Sequence, residues 1–113
     1  MKFSYQDFLK QMPLPATPKW RDGVWDIEAF KHGTMLLEVF APRHTDYQTP
    51  HDQDELYFVL SGSGDFIVGD ERIPFQTGDA LFVPAHKPHH FENFTDDFVT
   101  WVVFWGPNGG ESA

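Results

Sequence analysis

The groups in this chain able to hold a cation or move a proton are six histidines and seventeen acidic residues, with no cysteine. Thiol catalysis and disulfides are therefore excluded. The histidines are His32, His44, His51, His86, His89 and His90, and two groupings stand out. His51 and Glu55 are four residues apart, and His86, His89 and His90 crowd a proline-flanked turn. Imidazole and carboxylate together suit divalent transition metals. On a straight strand, four residues span about 13 Å at roughly 3.3 Å each. Ligands held about 2 Å from one ion cannot lie that far apart. A turn must therefore fold His51 back toward Glu55, and the polar tripeptide Asp52-Gln53-Asp54 supplies it. In this reading His51 ends one strand and Glu55 begins the next.

The elements that would position these residues are mostly strands. Alternating or wholly apolar runs predict strands at 24–27, 35–41, 56–61, 66–68, 72–75, 80–83, 90–94 and 98–105. Gly-, Pro- and Asp-containing turns separate them. Many short strands with almost no helix predict a closed barrel or sandwich. Residues 4–12 suit one short helix, with Ser4 as cap and Phe8, Leu9 and Met12 on one face. Pro13, Pro15 and Pro18 then stop both helix and central strand. The expected layout is an arm at 1–23, a barrel at 24–105 and a flexible tail at 106–113. The strands 56–61 and 98–105 are apolar on both faces, so the outer face should be covered too. The arm or a second copy would do this, and a homodimer is the favoured expectation. Trp20, Trp25, Trp101 and Trp105 read as core or interface aromatics.

Two segments resemble the cupin motifs. Residues 51–62, HDQDELYFVLSG, are similar to the second half of the first motif: His, three residues, Glu, six residues, Gly. Residues 78–93, GDALFVPAHKPHHFEN, resemble the second: Gly, five residues, Pro, then His and Asn. The resemblance implies an all-β cupin double-stranded β-helix, a jelly-roll barrel with a short N-terminal arm or helix. It implies His51, Glu55 and His89 as metal ligands, with Asn93 closing the motif. Two positions differ from the pattern. Thr49 stands where the first motif has a further His, and His86 stands where a small residue, often Gly, is usual. Gln48, Thr49 or Gln53 would then supply a weak oxygen ligand or hold a water, with His44 or His86 as remote substitutes.

Two imidazoles and one carboxylate suit Fe(II), Zn(II), Mn(II) or Ni(II), with positions open to water or substrate. Such an ion polarises a carbonyl or activates water. Tyr57 shares strand parity with Glu55 and so faces the same cavity, where its hydroxyl would donate to an oxyanion or act as an acid or base. Phe91 and Asn93 share parity with His89. One functional reading is therefore a metal-dependent oxygenase, isomerase or lyase on a small organic acid, phenol or carbonyl compound. The other is a non-catalytic small-molecule binder or sensor, favoured by the missing fourth ligand and by the lack of a further acid–base pair.

Composition narrows the partners. The 113 residues are about one domain, 41% hydrophobic and 17% aromatic, which excludes a disordered chain. A net charge of −9 disfavours nucleic acid and anionic membrane surfaces. No apolar run approaches the roughly 20 residues of a membrane span, and no signal peptide is visible. A cytoplasmic location is the expectation.

Overall fold

The computed structural model of the chain describes residues 1–112. A short helix α1, Tyr5–Leu9, precedes eight strands. These are β1 Asp26–His32, β2 Met35–Phe40, β3 Asp54–Ser61, β4 Ser63–Val68, β5 Glu71–Gln76, β6 Ala80–Val83, β7 His89–Glu92 and β8 Val99–Trp105. They form a five-stranded sheet ordered β1-β2-β8-β3-β6 and a three-stranded sheet ordered β5-β4-β7. Every pairing is antiparallel. This is the expected all-β architecture of two facing sheets.

The strand boundaries differ from expectation in informative places. The first strand lies at Asp26–His32 instead of 24–27, because Gly33 and Thr34 make a tight hairpin that pairs His32 with Met35. β3 begins at Asp54, two residues early, where Asp54 finds Trp105 opposite. β4 starts at Ser63, so the turn from β3 shrinks to Gly62. Gly62 has φ +93, and a Cβ there would sit 2.7 Å from the Phe98 Cα, so only glycine fits. His51 does not end a strand. It lies in an irregular crossover between β2 and β3.

Strand parity sorts the side chains. Tyr57 and Val59 of β3, Val102 and Phe104 of β8, Phe66 of β4, Phe75 of β5, Leu81 and Val83 of β6 and Phe91 of β7 meet in one buried core. Phe91 is its hub, with ring centroids 4.8 Å from Phe66 and Phe98 and 5.0 Å from Tyr57. Aromatic edges and faces at these spacings add to area burial. Glu55 and His89 occupy the same inward rows and are buried polar exceptions among these apolar residues.

The arm covers part of the outer face of the five-stranded sheet. Tyr5, Phe8, Leu9 and Met12 pack on Val39, Ala41 and Val99, with Trp25, Leu60 and Trp101 alongside. The helix is shorter than the expected 4–12, and Ser4 sits at its N-cap position without a side-chain hydrogen bond. Phe58 and Phe82 on the same face stay 42% and 54% exposed, so the arm does not reach them. The segment expected as a tail is tied down where it is described. Gly109 N–H donates to the Asp52 carbonyl at 2.7 Å, and Glu111 N–H donates to Asp54 Oδ2 at 2.9 Å. Among the described residues, no helix is long and apolar enough to cross a membrane.

Truncating the hub tests this packing. Phe91→Ala is expected to cost about 3–5 kcal/mol in urea unfolding, the range for a buried aromatic. A loss below about 1 kcal/mol would show that the rings around it do not form a tightly packed core.

Candidate metal centre

Three elements bring three residues to one point. Glu55, the second residue of β3, lies opposite Val83 on one side and Phe104 on the other. His89 opens β7 opposite Val68, in the other sheet. Side chains from the two sheets thus meet across the barrel interior. His51 arrives from the irregular crossover, and the bend at Asp52 and Gln53 folds it back over Glu55. The turn expected from strand geometry is therefore present, two residues long.

Donor atoms of His51, Glu55 and His89 all lie within 4.8 Å of one another. Glu55 Oε1 is 2.5 Å from His89 Nε2, and Glu55 Oε2 is 3.3 Å from His51 Nδ1. The Glu55 and His89 side chains are each 1% exposed and that of His51 is 35%, so His51 forms the solvent side. Close as they are, these four atoms are buried and make no hydrogen bond of proper direction. Buried polar atoms nearly always find a partner. Two imidazole nitrogens and two carboxylate oxygens packed this closely pair with one another without a metal, and the same set fits a cation placed between them. No other group of three or more such side chains converges this way among the described residues.

Neighbouring groups hold the donors in place. His89 Nδ1 is 2.8 Å from the Lys87 carbonyl, which only accepts, so Nδ1 carries the proton and Nε2 faces the site. This is the usual outer support of a metal-binding histidine. His86 N–H donates to the His51 carbonyl at 2.7 Å, joining the turn before β7 to the crossover. Asp54 takes the Ala85 N–H at 2.9 Å as well as that of Glu111, so it clamps the same turn to the start of β3. The Glu111 and Ala85 amides hold the Asp54 carboxyl below its ordinary value. Without a metal, burial alone would raise the Glu55 carboxyl, but the adjacent His51 and His89 outweigh it and hold it low. Burial likewise disfavours charge on His89, but Glu55, the Lys87 carbonyl and Asp46 raise it overall.

A cavity of about 140 Å³ opens beside His51, the member of the trio that lines it. Trp20, Phe40, Val102 and Phe104 form its apolar wall, and Gln48, Thr49, His51 and Tyr57 form its polar side. Tyr57 does face the cavity, as parity requires, but its hydroxyl donates to Gln48 Oε1 at 3.0 Å. Burial and the nearby Glu55 push that phenol well above its ordinary value. Two lining residues, Asp26 and Glu38, went unnoticed in the sequence. They add two carboxyl groups to the cavity lining. Glu38 is raised from 4.5 to about 7 by burial first, then by Asp26, Glu28 and Glu55. Asp26 is also raised, by burial and by Glu28.

Other candidates lie elsewhere. Gln53 donates to the Thr34 and Gly106 carbonyls, both at 2.9 Å, and acts as a clamp on the hairpin and tail. Thr49 lines the cavity with its hydroxyl 3.4 Å from Lys19 Nζ. Gln48 lines it with both amide atoms engaged. His86 is exposed, with φ +67, and faces Asp52 at 3.7 Å. His44 lines a separate surface groove with His90. Neither joins the trio. Asn93 does not face inward: φ +53 breaks the strand parity, and its amide donates to Asp65 on the outer surface.

The raised Glu38 carboxyl has a consequence for metal-free protein. Its proton is held more tightly in the folded state, so stability falls as pH rises from 4.5 through about 7. Glu38→Gln is expected to be more stable than the wild type at pH 8, by about 1–2 kcal/mol after solvent screening, and not at pH 4. Urea midpoints at the two pH values check this, and an equal effect at both would contradict it.

The cupin-domain profile matches residues 36–105. An uncharacterized protein of Streptomyces coelicolor is 43% identical over 63 residues, which is 56% of this chain and 60% of that one. Acireductone dioxygenase 1 of Pectobacterium atrosepticum is 38% identical over 79 residues, which is 66% of this chain and 43% of the enzyme. The chain thus spans less than two thirds of either relative. A crystal structure of a Thermus thermophilus protein superposes with TM-score 0.62 at 22% identity, covering 98% of this chain and 100% of that one. The profile match, the two-sheet fold and the placement of the motif residues together establish that this chain belongs to the cupin family.

Proposed function

We propose that the chain is a small metal-dependent cupin enzyme in which His51, Glu55 and His89 hold one divalent ion. The observation that carries this reading is the convergence of buried donor atoms from three side chains within 4.8 Å of one another. Iron, zinc, manganese and nickel all accept two imidazoles and a carboxylate. When bound, such an ion polarises a carbonyl or enol oxygen, activates water, or as Fe(II) takes up O₂. The reaction is of the oxygenase or isomerase class on a small organic compound. The likeness to acireductone dioxygenase supports the oxygenase.

This chain's residues supply the rest. Phe40, Val102 and Phe104 exclude water from one side of the cavity. His89 is oriented by Lys87, and Glu38 is poised to give or take a proton near neutral pH. A second reading, a ligand-binding cupin without turnover, is favoured by Thr49, which offers no imidazole. The half-covered outer sheet face, with Phe58 and Phe82 exposed, supports the proposal of a homodimer. Light scattering at micromolar concentration is expected to give twice the mass of one chain, and a single-chain mass would contradict the dimer.

Metal titration tests the main reading. The wild type is expected to bind one Zn(II) or Fe(II) per chain, and His51→Ala and His89→Ala to weaken binding by at least about 100-fold. Circular dichroism should show both variants folded. Absence of stoichiometric binding in the wild type would contradict the metal centre. O₂ consumption by the Fe(II) form with enediol or hydroxycarbonyl substrates separates an oxygenase from a binder.

A further inference from the structure

The polar groups around the cavity point to a class of ligand. Asp46 is buried in the crossover, and its Oδ1 accepts the Gln48 N–H at 3.0 Å. Its Oδ2 accepts the Phe91 N–H at 3.0 Å and the Gln48 side-chain Nε2 at 2.5 Å. A carboxylate only accepts, so the Gln48 amide is fixed with its NH₂ toward Asp46 and its Oε1 toward Tyr57. The Tyr57 hydroxyl lies 3.0 Å from that oxygen. Its proton points to Gln48 Oε1 or to the nearby Glu55 carboxylate, both acceptors, and in either case the hydroxyl presents lone pairs to the cavity. This reverses the role of oxyanion donor expected from the sequence.

The remaining lining groups agree. Asp26 and Glu38 reach the cavity from neighbouring strands β1 and β2. The side-chain cation among the lining residues is Lys19, at the rim, 3.4 Å from Thr49 Oγ1 and 5.9 Å from the Trp20 ring. No arginine lines the cavity among the described residues. A divalent ion on the trio is offset in part by Glu55. Asp26 and Glu38 then outweigh Lys19, so little positive charge is left to draw an acid. The volume, about 140 Å³, is close to the roughly 150 Å³ that accommodates a six-membered ring.

We propose that this cavity selects a neutral small molecule that gives hydrogen bonds, a polyhydroxy or hydroxycarbonyl compound of about six to eight non-hydrogen atoms, over a carboxylic or phosphoric acid of similar size. The proposal rests on the metal-binding reading above. Asp46 and Gln48 are positioning residues that set the polarity of Tyr57. Asp26 and, once ionised above about pH 7, Glu38 are specificity-determining residues that accept from the ligand and repel anions.

The test uses the Zn(II)-loaded full chain at pH 8 and two hydroxamates with the same metal-chelating head. One, 3-hydroxypropanohydroxamic acid, ends in a hydroxyl, and the other, malonomonohydroxamic acid, ends in a carboxylate. Calorimetry on the wild type is expected to show the hydroxyl-ended probe binding about tenfold more tightly or better. In the Asp26→Asn, Glu38→Gln double variant the ratio is expected to fall below about threefold, mainly through tighter binding of the carboxylate-ended probe. In Tyr57→Phe the hydroxyl-ended probe is expected to weaken and the carboxylate-ended one not to. Each ratio is read within one protein, so a general loss of binding cancels. A wild type that prefers the carboxylate-ended probe, or a preference unchanged in the double variant, overturns the proposal. Zinc binding is read separately in the same instrument. Failure of zinc to bind overturns the metal reading and this proposal together, whereas zinc binding without the preference overturns this proposal alone.

Discussion

Glu55 carries a carboxylate into the barrel interior, where its side chain is 1% exposed, and a charge so placed must be compensated. Compensation comes from the adjacent His51 and His89, and from any cation they hold with it. That requirement ties the two sheets together, because Glu55 stands on the five-stranded sheet and His89 on the three-stranded one. It also explains why so much backbone is committed nearby. The Asp54 carboxylate clamps the turn before β7 and the C-terminal segment, while the His86 amide holds the carbonyl of His51. The aromatic core beneath, centred on Phe91, keeps both strands from shifting by the fraction of an ångström that coordination distances do not tolerate.

The irregular crossover between β2 and β3 does a comparable job without regular structure. Arg43 Nη1 donates to the carbonyls of Ala41, Pro42 and Phe98 and its guanidinium stacks 4.5 Å over Trp25, anchoring the start of the segment. Asp46 pins the middle to β7 through Phe91, and Gln48 reaches Tyr57 on β3. The crossover thus delivers His51 to the candidate metal site and lines the cavity beside it. A segment with no strand pairing of its own is held by side-chain bonds to β3, to β7 and to Phe98 just before β8, and these satisfy its buried Asp46.

The sequence made the fold and the trio legible because both are written in local terms. Strands appear as short apolar runs between turns, and the order His51, Glu55, His89 is a spacing pattern. The rise per residue of a strand was enough to require a turn between His51 and Glu55. What could not be read depends on register and on hydrogen-bond direction. Glu38 enters the cavity because β2 pairs with β8 in the middle of the sheet, and nothing near Glu38 in the chain announces that. Asn93 turns outward because its left-handed φ ends the alternation that parity arguments assume. The acceptor that Gln48 offers to the Tyr57 hydroxyl is set by Asp46, eleven residues upstream, through an amide whose orientation no pattern encodes. The exposed Phe58 and Phe82 show the reverse case. Apolar residues on both faces of β3 and β8 were plain, but not how little of the outer surface the arm would cover.

The convergence of the three side chains on a metal ion is the central proposal. X-ray absorption spectroscopy of the Zn(II)-loaded protein measures that most directly. The account predicts a first shell of nitrogen and oxygen at about 2.0–2.1 Å, with the outer-shell scattering of two imidazole rings, falling to one ring in His89→Ala. A spectrum of hydrated zinc without imidazole scattering, or one that His89→Ala leaves unchanged, would contradict it.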